Sequence, residues 1–349
     1  MSLNCKTPAD VLKTLKDDEI NFVDLRFTDP RGKWQHLTMT TEFIDEDSFT
    51  DGIMFDGSSI AGWKAINESD MSLVPDPITA VMDPFAAQPS MILICHCMEP
   101  TTGQPYGRDS RSVAKKAEAY LNSTGIGDTA YFGPEAEFFI FDDVRFDVSM
   151  NSCFYEFDSE EGPYVSGKIM EEGNIGHRPP PKGGYFPVPP VDSGSDLRAE
   201  MVSVMKEMGL NMDKHHHEVA PSQAELGLTF APLVRSADNL QIYKYVTHMV
   251  AHTYGKTATF MPKPVAGGEI VERLVEGEHS GRDHRALQRQ DTRAGPRQRR
   301  GGIAWRSSPP SAPAGAAAPG SASAGTRAGN AARAADRRRP PSRGPVRRR

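Results

Sequence analysis

Two short stretches carry the residue types that could do chemistry. The first, Tyr131-Phe132-Gly133-Pro134-Glu135-Ala136-Glu137-Phe138-Phe139-Ile140-Phe141, is aromatic and branched and runs into Asp142-Asp143. It reads as one strand, whose side chains alternate between faces, so Glu135 and Glu137 share a face about 7 Å apart. Two carboxylates inside an apolar run repel each other and resist burial. A divalent cation relieves both costs, and hard oxygen ligands suit Mg2+ or Mn2+. The competing reading is a solvent-facing edge with two charged residues. The second stretch is His215-His216-His217-Glu218-Val219-Ala220-Pro221-Ser222-Gln223-Ala224-Glu225-Leu226-Gly227-Leu228. With Pro221-Ser222 as a hairpin tip, Val219 faces Ala224 and Glu218 faces Glu225, about 5 Å apart at Cβ. Like charges so placed destabilise the pair unless something positive sits between them. The histidines are open to three readings: metal ligands, nucleotide contacts or partly exposed strand residues, with His216 ahead of its neighbours. Together the four glutamates describe an acidic basin for one or two divalent ions beside nucleotide phosphates.

The elements that must position these groups follow from pattern. Thr7-Pro8-Ala9-Asp10 is a helix start with a hydroxyl cap, a proline and an early acid. Phe22 to Phe27 alternates and returns through Asp29-Pro30-Arg31-Gly32 as a hairpin with Trp34 to Thr40. Met54-Phe55-Asp56-Gly57-Ser58-Ser59-Ile60 is a polar, flexible loop, and Ser90 to Cys97 a strand. Within that strand Cys95 and Cys97 share a face and His96 points away, so the trio reads as buried structure rather than a metal cluster. Helices are expected over about 110–121, closed near Gly125, over 197–208, ending at Gly209, and over 236–254. Residues 151–176 are polar and read as loops, and Lys256 to Met261 as a strand. In Pro179 to Pro190 the prolines forbid regular pairing, and Gly183-Gly184 lets backbone approach a ligand closely.

Composition sets limits on the class. From Gly268 to Arg349 there are 18 arginines, no lysine and 7 acidic residues, a net of +11, against -17 for residues 1–267. An acidic body and a basic tail are two different materials. Four scattered cysteines make no disulfide framework, no apolar run approaches a membrane span, and no signal peptide is evident, so the body reads as a cytoplasmic protein. There is no Walker loop, no Gly-x-Gly-x-x-Gly and no Gly-x-Ser-x-Gly elbow. Residue physics alone stops at a metal-dependent enzyme that uses nucleotides.

The motifs in order go further. Phe22-Val23-Asp24-Leu25-Arg26-Phe27, Phe55-Asp56-Gly57-Ser58-Ser59-Ile60, Gly133-Pro134-Glu135-Ala136-Glu137-Phe138-Phe139, Lys182-Gly183-Gly184-Tyr185-Phe186, His215-His216-His217-Glu218-Val219-Ala220 and Gly255 to Pro264 closely resemble bacterial type I glutamine synthetase, continuously over about residues 8–265. The resemblance implies an α+β fold: a β-grasp N-terminal domain (1–105), a partial, barrel-like catalytic domain (106–267), and beyond them a low-complexity tail (268–349). It implies ATP-dependent condensation of glutamate with ammonia through γ-glutamyl phosphate, and a dodecamer of two stacked hexameric rings with sites between neighbours. Glu137, Glu218 and Glu225 look like ligands of a first metal, and Glu135 like one ligand of a second. Asp56 matches the aspartate that a neighbouring subunit lends as ammonium site and base, with Tyr185 and Ser59 lining that pocket. Asp213 and His216 fall at nucleotide contacts.

After Pro264 the chain reads Val265-Ala266-Gly267-Gly268-Glu269-Ile270 and leaves the family's pattern. The glutamate-binding segment and the remaining second-metal ligands are therefore missing. Arginine with alanine, glycine and proline is what a GC-rich coding strand yields out of frame, so a frameshift near codon 267 is expected, with a disordered tail. Nucleic acid is not the expected partner, although an arginine-rich arm for RNA is the rival reading of that tail. Two alternatives remain for the body: a ligase joining glutamate to another amine, or a non-catalytic subunit lending Asp56 to intact partners.

Overall fold

The computed structural model describes residues 3–162 and 176–265. Helix α1 (Pro8–Asp17) starts at Thr7, which accepts from the Asp10 amide while Asp10 accepts back from the Thr7 amide, a reciprocal cap. Val11 and Leu15 bury its apolar side against a mixed sheet. That sheet runs β2 (Trp34–Thr40), β1 (Phe22–Thr28), β6 (Ser90–Glu99), β4 (Asp70–Pro75), β3 (Ile53–Asp56), with β5 (Val81–Met82) and β7 (Gln104–Pro105) also on β6. β1 pairs antiparallel with β2 and parallel with β6. One helix on a mixed sheet with a central parallel pair is a β-grasp arrangement. Cys95 and Cys97 lie buried in β6, as their spacing predicts.

The alternation in β1 hides a second role. Asp24 and Arg26, the polar side of the pattern, are buried along with Val23 and Leu25. The Arg26 guanidinium lies 4.1 Å from the Tyr245 ring centre and 4.9 Å from Trp34, and it pairs with Asp24 at 2.6 Å and Asp83 at 2.9 Å. Tyr245 comes from α4 (Leu233–Thr253), so the polar face of β1 is a seam to the second half of the chain. A parallel seam joins Arg111, on α2 (Ser110–Thr124), to Asp238 and Asp76 at 2.9 Å each. Gly125 ends α2 with a left-handed φ of 67°, where a Cβ would be strained.

In the second half a four-stranded antiparallel sheet runs β12 (Met212–His217), β13 (Gln223–Leu228), β9 (Glu137–Phe141), β15 (Thr257–Thr259). Helices α3 (Ser195–Glu207) and α4 cover one face, and Met201, Met205, Val246 and Val250 are fully buried there. Met201 and Met205, one helical turn apart, pack into this core.

Three expectations are corrected. The stretch from Tyr131 is two strands, β8 (Tyr131–Phe132), which pairs with β14 (Ala231–Pro232), and β9. Gly133-Pro134 break it, since proline offers no amide to a ladder, and Glu135 lies in the connection rather than on a strand. The Pro221-Ser222 hairpin has a different register: His216 opposes Glu225, and the Glu218 amide donates to Gln223. Glu218 therefore opposes Gln223, not Glu225. Residues 151–162 are not all loop, because β10 (Asp143–Val148) and β11 (Cys153–Asp158) form a hairpin. The expected basic tail lies outside the described residues.

Candidate metal centre

The register places a row of chemistry across three strands. His216 on β12 opposes Glu225 on β13, which opposes Glu137 on β9. Directly paired residues share a face, and Glu218, two residues beyond His216, turns to the same side. The His216 ring has Nδ1 3.5 Å from Glu218 Oε1 and Nε2 3.5 Å from Glu225 Oε2. One ligand atom from each of these three residues lies within 4.8 Å of the others. Ligands on opposite sides of an ion with bonds of about 2.0–2.4 Å are separated by up to about 4.8 Å, so the set has the size of a coordination sphere.

The electrostatics agree with the geometry. Burial, then the nearby Glu218 charge, pushes Glu137 up to about 7; Glu225 and Glu135 add to this and the Gln223 hydrogen bond works against it. Burial and Glu218 likewise push Glu225 up to about 7, with Glu135 and Asp213 adding. Glu218 and Glu135 thus act on both Glu137 and Glu225. A cluster that cannot comfortably ionise on its own, built from hard oxygen donors and one imidazole, fits a divalent cation.

The cluster is braced from behind and from the side. Gln223 donates to Glu137 Oε2 and accepts from the Ala220 amide, tying the β12–β13 turn to β9. Behind the turn, His217 is buried with Nε2 2.8 Å from Glu161 Oε2 and Nδ1 2.5 Å from the Glu218 carbonyl. Both of those partners are acceptors, so the ring carries two N–H donors. Burial lowers the affinity of His217 for its proton, but the Glu161 hydrogen bond and charge outweigh it and raise its pKa. Burial would raise Glu161, and the same contact overrides that and lowers it. Gly184 packs on this turn: its amide donates to the Val219 carbonyl at 3.0 Å, and a Cβ there would sit 2.7 Å from the Glu218 carbonyl oxygen. The bare backbone of the second glycine is needed against the chain's own turn rather than against a ligand. Tyr185 and Phe186 follow with stacked rings 3.9 Å apart, and the Phe186 ring meets the His216 ring at 4.7 Å.

The other expected site residues divide. Tyr185 is exposed beside His216. Asp213 is exposed at the irregularity in β12, and its carboxylate occupies the space where Gly227 has no Cβ. Asp56 and Ser59 lie in the other half, at the end of β3. Asp56 Oδ1 accepts from the Ser58 amide at 2.9 Å and Oδ2 from the Ser59 hydroxyl, and the two serines hold its carboxyl below the usual range. Among the described residues the Asp56 carboxylate is hydrogen-bonded only within that loop. The sequence shows no sign of Glu161 or Gln223 in the site; of the three readings open for His216, its place opposite Glu225 fits the metal-ligand one.

Comparison with known proteins follows the same lines. Residues 19–100 match the model of the glutamine synthetase β-grasp domain, and residues 107–269 that of the glutamine synthetase catalytic domain. The chain belongs to the glutamine synthetase family. A glutamine synthetase of Azospirillum brasilense is 68% identical over 257 residues, covering 74% of this chain and 55% of that protein. One of Bradyrhizobium diazoefficiens is 61% identical over 262 residues, covering 75% and 56%. The chain therefore spans little more than half the length of these family members. In architecture it is similar to a glutamine synthetase from Plasmodium falciparum, with a TM-score of 0.70 at 24% identity over 76% of this chain and 52% of that one. The catalytic-domain match ends at residue 269, next to the point where the motifs stop.

Proposed function

We propose that this chain carries the metal-holding part of a glutamine synthetase site and serves ATP-dependent condensation of glutamate with ammonium. The observation that carries the reading is the row His216, Glu225 and Glu137 across three strands, with Glu218 folded onto it. A first divalent ion, Mg2+ or Mn2+, would be held by Glu218 and Glu225, with His216 and Glu137 completing its surroundings, and Glu135 would contribute to a second. Such ions, when bound, neutralise phosphoryl oxygens and orient the nucleotide. This gives His216 a ligand role in place of the expected nucleotide contact, and leaves Asp213, exposed beside Glu225, as the nucleotide-side group.

Asp56 is fitted to hold a cation. Its two serines keep it ionised, which suits ammonium, and Ser59 keeps its carboxylate oriented. Its hydrogen bonds are confined to its own loop, which supports a role toward a neighbouring copy in a dodecameric ring assembly. Tyr185, exposed beside His216, would line the pocket that such an Asp56 enters. Four free cysteines, three of them buried, fit a reducing cytoplasm, and among the described residues no helix is long and apolar enough to cross a membrane.

The test is glutamine formation from glutamate, ammonium and ATP by the purified chain, with Mg2+ or Mn2+, alone and mixed with a full-length family member. Metal-dependent glutamine production that Glu225→Gln abolishes supports the reading. Production unchanged by Glu225→Gln, or absent in both settings, contradicts it.

A further inference from the structure

The turn that carries Glu218 is held from behind by one buried carboxylate. Glu161 Oε2 accepts from His217 Nε2 at 2.8 Å and from the Ser222 amide at 2.7 Å, while Oε1 accepts from the Ser193 hydroxyl at 2.8 Å. It thereby grips the end of β12, the far side of the turn and the segment leading to α3. Ser222 has a φ of 68°, a left-handed conformation that a non-glycine residue holds only when its surroundings enforce it. Its amide is one of the two donors on Glu161 Oε2. His217, gripped on the other side, passes the constraint on through its Nδ1 to the carbonyl of Glu218 itself. Among the described residues Glu161 touches no proposed cation ligand, and its route through His217 ends at the backbone of Glu218.

We infer that Glu161 is a positioning residue for the metal centre: through His217 and Ser222 it fixes the strained turn that aims Glu218, so that divalent cation affinity depends on it. The inference rests on the metal-centre reading above. Free of Glu161, the turn would relax toward unstrained backbone, and the Glu218 carboxylate would have to be ordered anew each time a cation binds.

The experiment is Mn2+ titration of the full chain by electron paramagnetic resonance, which counts free Mn2+ and needs no turnover. Glu161→Ala is expected to weaken binding by about 10–100-fold, the range typical when an outer partner of a metal ligand is lost. Glu161→Gln, whose amide oxygen can replace Oε2 but without its charge, and whose NH2 meets the Ser193 hydroxyl where Oε1 accepted, should fall between the wild type and Glu161→Ala. Asp238→Asn, which removes a buried charge from the Arg111 seam, is the control for general destabilisation and should leave Mn2+ affinity within about twofold. If Glu161→Ala does not fold, Glu161→Gln decides. Wild-type affinity in Glu161→Gln, with Glu225→Gln weakened tenfold or more, overturns the Glu161 inference alone. An unchanged affinity in Glu225→Gln overturns the metal centre, and the inference with it.

Discussion

At the scale of single residues, the site is defined by carboxylates that would rather be neutral. Glu137 and Glu225 both titrate near 7 in the fold, from a reference of 4.5, because burial and Glu218 penalise the anion. A carboxyl whose folded pKa is raised favours the fold at low pH, and that contribution is lost as pH rises from the unfolded value through the folded one. In EDTA, the melting temperature of Glu225→Gln should therefore gain on the wild type as pH goes from about 4.5 to about 7.5. Mn2+ should stabilise the wild type more at the upper end of that window and release protons on binding. Parallel pH profiles of the two proteins would contradict this. Gly184 gives a second residue-level expectation. Gly184→Ala places a methyl against the Glu218 carbonyl and the His217 ring, and should cost about 1–3 kcal/mol in urea unfolding and weaken Mn2+ binding. At this scale the glutamates were legible because carboxylates in an apolar run are costly and so conspicuous. Glu161 was not, since its partners lie far away in sequence.

The elements show why sequence reading failed where it did. Helix starts and stops obey local rules, so Thr7 and Gly125 are legible: a cap is a contact between near neighbours. Strand pairing is a contact between distant segments, and two errors arose there. The Glu218–Glu225 pairing differs by two residues because the Pro221-Ser222 turn, closed by the Gln223 amide on the Ala220 carbonyl, sits in a longer loop that opens where the Glu218 amide meets the Gln223 carbonyl and is braced by Glu161 and the Gln223 side chain. A slip of two keeps every side chain on its face, so the glutamates still met. The β10–β11 hairpin was missed because its apolar residues, such as Phe146 and Tyr155, stay exposed and give no one-sided burial pattern to read. At the β1 seam, Arg26→Met should leave Asp24 and Asp83 buried without their cation and cost about 3–5 kcal/mol in urea unfolding. A cost below about 1 kcal/mol would mean that the seam is not held by this ion cluster.

For the whole molecule, the two halves are joined by ionic seams as well as apolar contact, and this sets the behaviour in acid. Burial would raise Asp76, but the His96 hydrogen bond and the Arg111 charge override it and hold the carboxyl far below the usual range. A depressed carboxyl stabilises the fold above its unfolded pKa, and that stability is lost as pH falls toward the folded value. Asp76→Asn should then lower stability at pH 7 and flatten the loss of stability below about pH 4, measured by urea unfolding at fixed pH. An unchanged acid slope would remove Asp76 from the account. Both seams, and the two domains they join, lie within the part of the chain that its relatives share. Beyond residue 269 the family match stops, and those residues lie outside the described part of the structure.

The central claim is that one divalent cation belongs between β12 and β13. Anomalous diffraction from crystals of the full chain grown with Mn2+ tests it directly. A peak within about 2.0–2.4 Å of ligand atoms from His216, Glu218 and Glu225 is expected. A well-ordered turn with no peak there, or manganese bound only elsewhere, would contradict it.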